Sequence, residues 1–422
     1  MKIVILNGSP KGPHSISLHT CLFLKKHFPE HEWEVLHVGQ RIRSIEADPE
    51  SAMAALERAD MLMMCYPVYT FLVPSQMHRF IELMKEQGVQ LAGKKAVQIC
   101  TSKHFYDVTA MRFVEDNLAD MGVELVDSLS ADMEDLPTEK GQMQAINWWR
   151  LVEWKLAGQP MVAHTEKRVV VVTDLAPEDE ELRDMIARFR AALPYESDVF
   201  NIREFPFQGG CISCFRCSSK GKCFYKDGFD TYLREEIQKK HDSIVYAFRI
   251  KDHSMGSLFK QYDDRQFCNG HRTVTMGMPF AYLIAGDYSK EENLQLMLRA
   301  RAEVGGNYLA GIALSDSADS VGQTAAALVW ALENAFTKPA TFYGVGGMKI
   351  FRDLIFEMRG MMRADHKFFK SHGQYDFPHN HKTKSWMMYL VGWMMNSDKM
   401  RKKMGNKLND GMIAPYKKVV EE

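Results

Sequence analysis

The sequence predicts an α/β protein with two doubly wound parallel-sheet domains and a C-terminal helical extension. Three observations carry this expectation. Lys2–Asn7 (KIVILN) and residues 168–174 (RVVVVTD) are near-continuous β-branched runs, the pattern of a strand buried on both faces of a parallel sheet. Each is followed by a helical stretch and another short apolar run, an alternation that implies strands joined by helical crossovers. At 422 residues the chain is also too long for one ordinary core.

The two halves share further detail. Residues 60–83 lie on residues 242–265 without a gap. Each stretch holds an aspartate, a short apolar run, a loop and then an amphipathic helix. Residues 93–101 (GKKAVQICT) resemble residues 270–278 (GHRTVTMGM), a basic pair leading into a strand in both cases. Second strands are expected over residues 33–38 and 198–202. Between the halves, Trp148, Trp149 and Trp154 stand at near-helical spacing and read as the core-facing stripe of a closing helix. Gly158-Gln159-Pro160 follows as a linker. Domains are thus expected at residues 1–160, 167–337 and 338–422.

Composition narrows the function. With 46% hydrophobic residues, 25% charged residues and a net charge of −1, the chain is globular and gives no global electrostatic reason to expect nucleic acid. The N-terminus has one lysine and a short apolar run broken by Asn7-Gly8, too short for a signal peptide, which points to the cytoplasm. No stretch reaches the roughly 18 apolar residues of a membrane-spanning helix. Eight cysteines in such a chain argue for free thiols or metal ligation.

The most informative segment is NGSPKGPHSISLHT, residues 7–20, which leaves a buried strand and enters a helix. A helix N-terminus at the carboxyl end of a parallel strand offers free N–H groups and positive potential, and so suits a phosphate. Gly8 permits the turn, Ser9, Ser15 and Ser17 can donate hydroxyl hydrogen bonds, and Lys11 can supply charge.

These residues carry a resemblance. Gly8-Ser9-Pro10-Lys11, followed by Ser15 and Ser17, resembles the phosphate loop of the NAD(P)H-dependent FMN reductase family, which has a flavodoxin-like fold. Cys65-Tyr66-Pro67-Val68-Tyr69-Thr70-Phe71, then Val73-Pro74 and a helix through Arg79-Phe80, resembles the family's loop over the flavin ring. The resemblance implies FMN, with Pro67, Val68, Tyr69, Thr70 and Phe71 giving backbone and aromatic contacts to the isoalloxazine. The third loop departs from the family. Where glycines are usual, this chain has Thr101-Ser102-Lys103-His104-Phe105, and Lys103 or His104 is a candidate to sit beside the flavin pyrimidine edge.

In the second half, Cys211-x2-Cys214-x2-Cys217-x5-Cys223 packs four thiols into a short glycine- and lysine-rich loop. Three cysteines at three-residue steps suit an iron–sulfur cluster, whereas structural zinc sites favour two separated pairs. The spacing, with Lys226-Asp227-Gly228-Phe229 after it, resembles the motif of iron–sulfur flavoproteins of the same superfamily. A [4Fe–4S] cluster is the first expectation, zinc the second, and four packed thiols with no metal the third. Cys21, Cys65, Cys100 and Cys268 are dispersed and read as buried small hydrophobes.

The halves look complementary, because the counterpart of the phosphate loop, residues 173–180 (TDLAPEDE), is acidic, and Arg249 stands where Pro67 stands. One FMN per chain is therefore expected, in the first domain. Residues 338–422 hold sixteen basic and eight acidic residues and many methionines and aromatics, with helices expected over 351–370 and 384–403. They read as helices packed on the second domain or on a dimer partner, with an electron carrier or membrane surface as the alternative. His366, His372, His379 and His381 fit no metal spacing. The function expected is an FMN-dependent oxidoreductase that takes electrons from NAD(P)H or ferredoxin and passes them to a small-molecule or protein acceptor. A non-enzymatic electron-transfer or redox-sensing flavoprotein is the alternative, and a zinc-stapled structural protein the third reading.

Overall fold

The computed structural model describes residues 1–317, 319–375, 386, 387, 389 and 398–421. It divides into two compact units, Met1–Leu156 with the C-terminal segment, and Ala157–Asp376. Among the described residues no helix is long and apolar enough to cross a membrane.

In the first unit β1 (Lys2–Asn7), β2 (Glu32–Leu36), β3 (Met61–Pro67), β4 (Lys95–Ser102) and β5 (Glu124–Asp132) form a wholly parallel sheet in the order β2-β1-β3-β4-β5. Alternation along β1 splits its side chains between two cores. Ile3 and Ile5 pack with α1 (Ile16–His27), α6 (Glu139–Leu156) and the C-terminal helix (Asp398–Glu421). Val4 and Leu6 pack with α2 (Ile42–Ala47), α3 (Glu50–Arg58), α4 (Ser75–Glu86) and α5 (Asp107–Asp120). Trp148 and Trp149 are fully buried and Trp154 nearly so, as their spacing predicts.

The second unit repeats the plan with β6 (Arg168–Thr173), β7 (Glu196–Asn201), β8 (Ser243–Arg249), β9 (Pro279–Ala285) and β10 (Tyr308–Leu314). Its order, β10-β9-β8-β6-β7, is that of the first sheet read from the other edge. Helices α7 (Glu180–Ala192), α8 (Arg216–Lys220), α9 (Phe229–Tyr232), α10 (Gly256–Arg265), α11 (Glu292–Val304), α12 (Ser320–Glu333), α13 (Phe342–Glu357) and α14 (Arg363–Ser371) belong to it. The gapless match seen in sequence holds in three dimensions, with β3 falling on β8 residue for residue. It extends into the next turn. Tyr69 and Leu72 form an isolated antiparallel bridge, and so do Lys251 and Ser254. Thr70 and Phe71 lie in the left-handed region (φ 46° and 73°), as do Asp252 and His253 (φ 48° and 60°).

Three expectations need correction. The helix expected over residues 351–370 is two helices, α13 and α14, because Ile355, Met362 and Phe369 fold into one small core and the chain must turn between them. The second strands lie a residue or two earlier than expected, where the backbone registers with β1 and β6. The C-terminal helix packs on the first unit, not on the second, because Ile413 and Tyr416 enter the core beside α1. The helix expected over 384–403 falls largely outside the described residues, as do His379 and His381.

Trp149 packs against Trp33 with ring centroids 5.2 Å apart, while its indole N–H lacks a hydrogen-bond partner among the described residues. Trp149→Ala should cost the first unit about 3–5 kcal/mol. Trp149→Phe, which removes an unsatisfied donor, should cost under about 1.5 kcal/mol. Urea unfolding curves of the two variants check the contrast, and equal losses would contradict it.

Candidate functional site

A groove of about 260 Å³ opens at the carboxyl edge of the first sheet. Three loops converge on it: Ser9, Lys11, Ser15 and Ser17 from the first, Pro67, Val68, Tyr69, Thr70 and Phe71 from the second, and Thr101 and Lys103 from the third. Of the residues singled out in the sequence for cofactor binding, Pro10 and His104 do not line it.

The first loop is braced by Asn7, whose side-chain amide donates to the Gly12 carbonyl at 2.9 Å and accepts from the Ser9 N–H at 3.2 Å. Ser15 caps α1 by accepting from the Leu18 N–H. The first-turn N–H groups before it have no partner within the helix, and Ile16 and Ser17 lie on the groove wall. Ser17 is tied to the third loop by a 2.5 Å hydroxyl–hydroxyl bond with Thr101. Gly8 serves differently from the sequence reading. A Cβ there would stand 2.7 Å from the Met77 side chain, so the glycine lets α4 pack close, while the left-handed turn falls at Gly12 (φ 55°).

The second and third loops carry strain. Thr70, Phe71, His104 and Tyr106 all adopt positive φ, a conformation that costs about 1–3 kcal/mol each and clusters at functional sites. The Tyr69–Leu72 turn is closed by reciprocal backbone bonds, and the Thr109 hydroxyl donates to the Phe71 carbonyl. Phe71, Phe105 and Tyr106 stack edge to face or tilted at the rim, with centroids 4.8–5.2 Å apart, and all three are exposed. Such an apolar, backbone-lined slot suits a flat aromatic ring.

Lys103 lines the groove, but its ammonium pairs with Asp132 at 2.7 Å and Glu134 at 3.2 Å. His104 does not line the groove. Its Nδ1 lies 2.9 Å from Asp107 Oδ2 in a pocket shared with Ser130. Burial would lower its pKa, but the Asp107 hydrogen bond and charge, with Asp132 and Asp135 beyond, raise it above the usual value.

The C-terminal helix supplies a wall that the motifs did not announce. Asn409, Met412 and Ile413 line the groove. Ile413 is buried in the core beside α1, Tyr416 donates to the Met133 carbonyl at 2.5 Å, and Asp410 meets His14 at 3.1 Å. The signal in the sequence was the helically spaced apolar series of Met412, Ile413, Tyr416, Val419 and Val420, one turn beyond the polar Asn409.

The second unit keeps the turn but fills the start of its first helix differently. Asp179 caps α7 by accepting from the Leu182 N–H, and Arg249 grips the same carboxylate at 2.8 and 2.7 Å while also reaching Glu181. The Arg249 hydrogen bond holds Asp179 below the usual carboxylate range. A carboxylate of the chain itself thus occupies the place at the helix N-terminus that a phosphate would take.

Elsewhere in this unit, a cavity of about 310 Å³ is lined by Cys211, Cys214, Cys217 and Cys223, with Cys268 alongside. Cys211 and Cys214 are exposed, Cys217 and Cys223 half-buried, and Cys268 buried. Burial pushes the Cys268 thiol up to about 12 and raises that of Cys217. Arg265, also on the wall, is almost fully buried, pairs with Asp227 at 2.8 Å and lies 4.5 Å from the Tyr225 ring centre. Cys21, Cys65 and Cys100 are core residues of the first unit.

A family profile described as the flavodoxin-like fold matches residues 1–150. Among solved structures, the chain is similar to an NADH:FMN oxidoreductase in its apo form, at 20% identity over 37% of this chain and 89% of that one, with a TM-score of 0.32. It is also similar to an NAD(P)H:quinone oxidoreductase from Methanothermobacter marburgensis (18% identity, 39% of this chain, 98% of that one, TM-score 0.28). A third is an FMN-dependent NADH-azoreductase from Bacillus anthracis strain Ames Ancestor in complex with FMN (12%, 37%, 98% and 0.28). No curated protein matches the chain.

The raised pKa couples His104 to stability. Its pairing with Asp107 stabilises the fold fully below the unfolded value of about 6.5 and is lost as pH rises through the higher folded value. The stability advantage of the native protein over His104→Gln should therefore shrink as pH rises from about 6.5 through the raised folded value. An NMR titration placing the His104 midpoint below about 6.5 would contradict this.

Proposed function

We propose that the protein is an FMN-dependent oxidoreductase, taking electrons from NAD(P)H or ferredoxin and passing them to a small acceptor or redox protein. The observation that carries this reading is the convergence of the first loop, the Tyr69–Leu72 turn and the third loop on one groove. The residues fit FMN at both ends. Ser9, Lys11, Ser15, Ser17 and the opening turn of α1 would hold the phosphate. Pro67, Val68, Tyr69, Thr70 and Phe71 would line the ring, with Thr101 and Lys103 on its other side. Bound FMN supplies hydride acceptance and electron transfer, while the protein orients the ring and limits water. Asn409, Met412 and Ile413 narrow the groove and so restrict the acceptor's approach.

The cysteine cavity would hold a [4Fe–4S] cluster through Cys211, Cys214, Cys217 and Cys223. A single tetrahedral zinc needs sulfurs about 3.8 Å apart, from Zn–S bonds of about 2.3 Å. Among the described residues, no three ligand atoms of this cavity gather within 4.8 Å of one another. The three-residue steps of Cys211, Cys214 and Cys217 favour a cluster over a single ion. The cytoplasm is the location proposed, since a cysteine loop that holds a metal group suits a reducing compartment.

Fluorescence titration of the full chain should give one FMN per chain, and a ratio near two would overturn the assignment of a single site. Lys11→Ala should weaken FMN binding about ten- to a hundredfold, the value of one charge-assisted hydrogen bond. Steady NAD(P)H oxidation with a quinone acceptor is expected. A protein that binds FMN yet shows no turnover with any small acceptor would instead be an electron-transfer module.

A further inference from the structure

The cysteine cavity has a wall that its four-cysteine motif does not supply. Cys268 and His271, a C-x2-H step after α10, both line it. His271 is held from behind. Its Nδ1 lies 3.0 Å from Asp365 Oδ2, and the same oxygen accepts the His271 backbone N–H at 3.1 Å. Asp365 is fully buried on α14, the helix that packs on α8 and hence beside Cys217. The Arg272 guanidinium lies 3.8 Å from Asp365 Oδ1.

An ionised carboxylate only accepts, so Nδ1 carries the proton and Nε2, on the opposite edge of the ring, is left to donate a lone pair. Nε2 has no hydrogen-bond partner among the described residues. The approach of the two elements is tight. A Cβ at position 270 would stand 2.3 Å from Asp365 Oδ1, and Gly270 adopts φ 63°, so both space and backbone require glycine there. A buried carboxylate that fixes a histidine tautomer, with the other nitrogen free and the ring on the wall of a thiol-lined cavity, is the arrangement used to orient metal ligands.

We propose that His271, oriented by Asp365, presents Nε2 as a nitrogen donor to one iron of the group held in the cysteine cavity, in place of one of the four thiolates. This rests on the metal reading of that cavity. Asp365 is then a positioning residue, and α14 belongs to the site through it. A neutral nitrogen donor among thiolates raises the reduction potential of an iron–sulfur group, so the pair would also set its poise.

The test uses the full chain with 15N-labelled histidine, reconstituted anaerobically with iron and sulfide, and pulsed EPR of the reduced protein. A 15N hyperfine coupling that disappears in His271→Gln, and changes in Asp365→Asn while iron content is kept, is the expected result. Iron bound with no histidine coupling in the native protein would overturn the inference and leave the metal reading standing. A chain that takes up no iron would overturn both.

Discussion

Every strand of each sheet runs the same way, so every strand-to-helix turn leaves from one edge. The rest of the structure depends on this constraint. In the first unit it sets the ends of β1, β3 and β4 side by side, with Asn7 opposite Cys65 and Pro67 opposite Thr101. The ladder then continues past the strand ends: the Gly8 N–H donates to the Cys65 carbonyl and the Val68 N–H to the Thr101 carbonyl. Those two bonds fix where the first two loops leave the sheet, and so fix the floor of the groove. Loops with free paths could not bring a helix N-terminus and an aromatic turn within one ligand's length.

The second unit shows the same scaffold with different charges at the same edge. Its turn after β8 repeats the turn after β3, down to the pair of left-handed residues. What differs is charge. With Arg249 in place of Pro67 and Asp179 at the start of α7, the anion position is satisfied from within the chain. A phosphate arriving there would have to displace a bidentate ion pair and would meet Glu181 as well. The elaboration of this unit lies instead in the segment between β7 and β8, which carries the cysteines.

Much of this was legible in the sequence because the signals were local. Buried strands read as apolar runs, and the loop after β1, the aromatic turn and the cysteine loop are each continuous stretches of chain. The misses were of another kind. His104 sits in a loop that lines the groove, yet a buried carboxylate three residues on holds its ring elsewhere, and only packing reveals that. Gly8 looked like a turn residue but answers to Met77 on a helix far along the chain. Cys268 read as a buried hydrophobe, which it is, while its place beside the other thiols depends on how α10 packs.

The C-terminal extension makes sense once the open edges are considered. An α/β sheet presents its binding groove at a mouth that the core helices do not close, so a ligand there is exposed unless some other element covers it. Here one part of the extension does this and another part braces a loop. In the first unit the C-terminal helix buries Ile413 and Tyr416 against α1 and turns Asn409 and Met412 to the groove. In the second, α13 and α14 build their own small core and commit one buried carboxylate, Asp365, to the loop beside the cysteine cavity. In that small core Met362 packs with Ile355 and Phe369. Unbranched, adaptable side chains fill such irregular contacts better than β-branched ones.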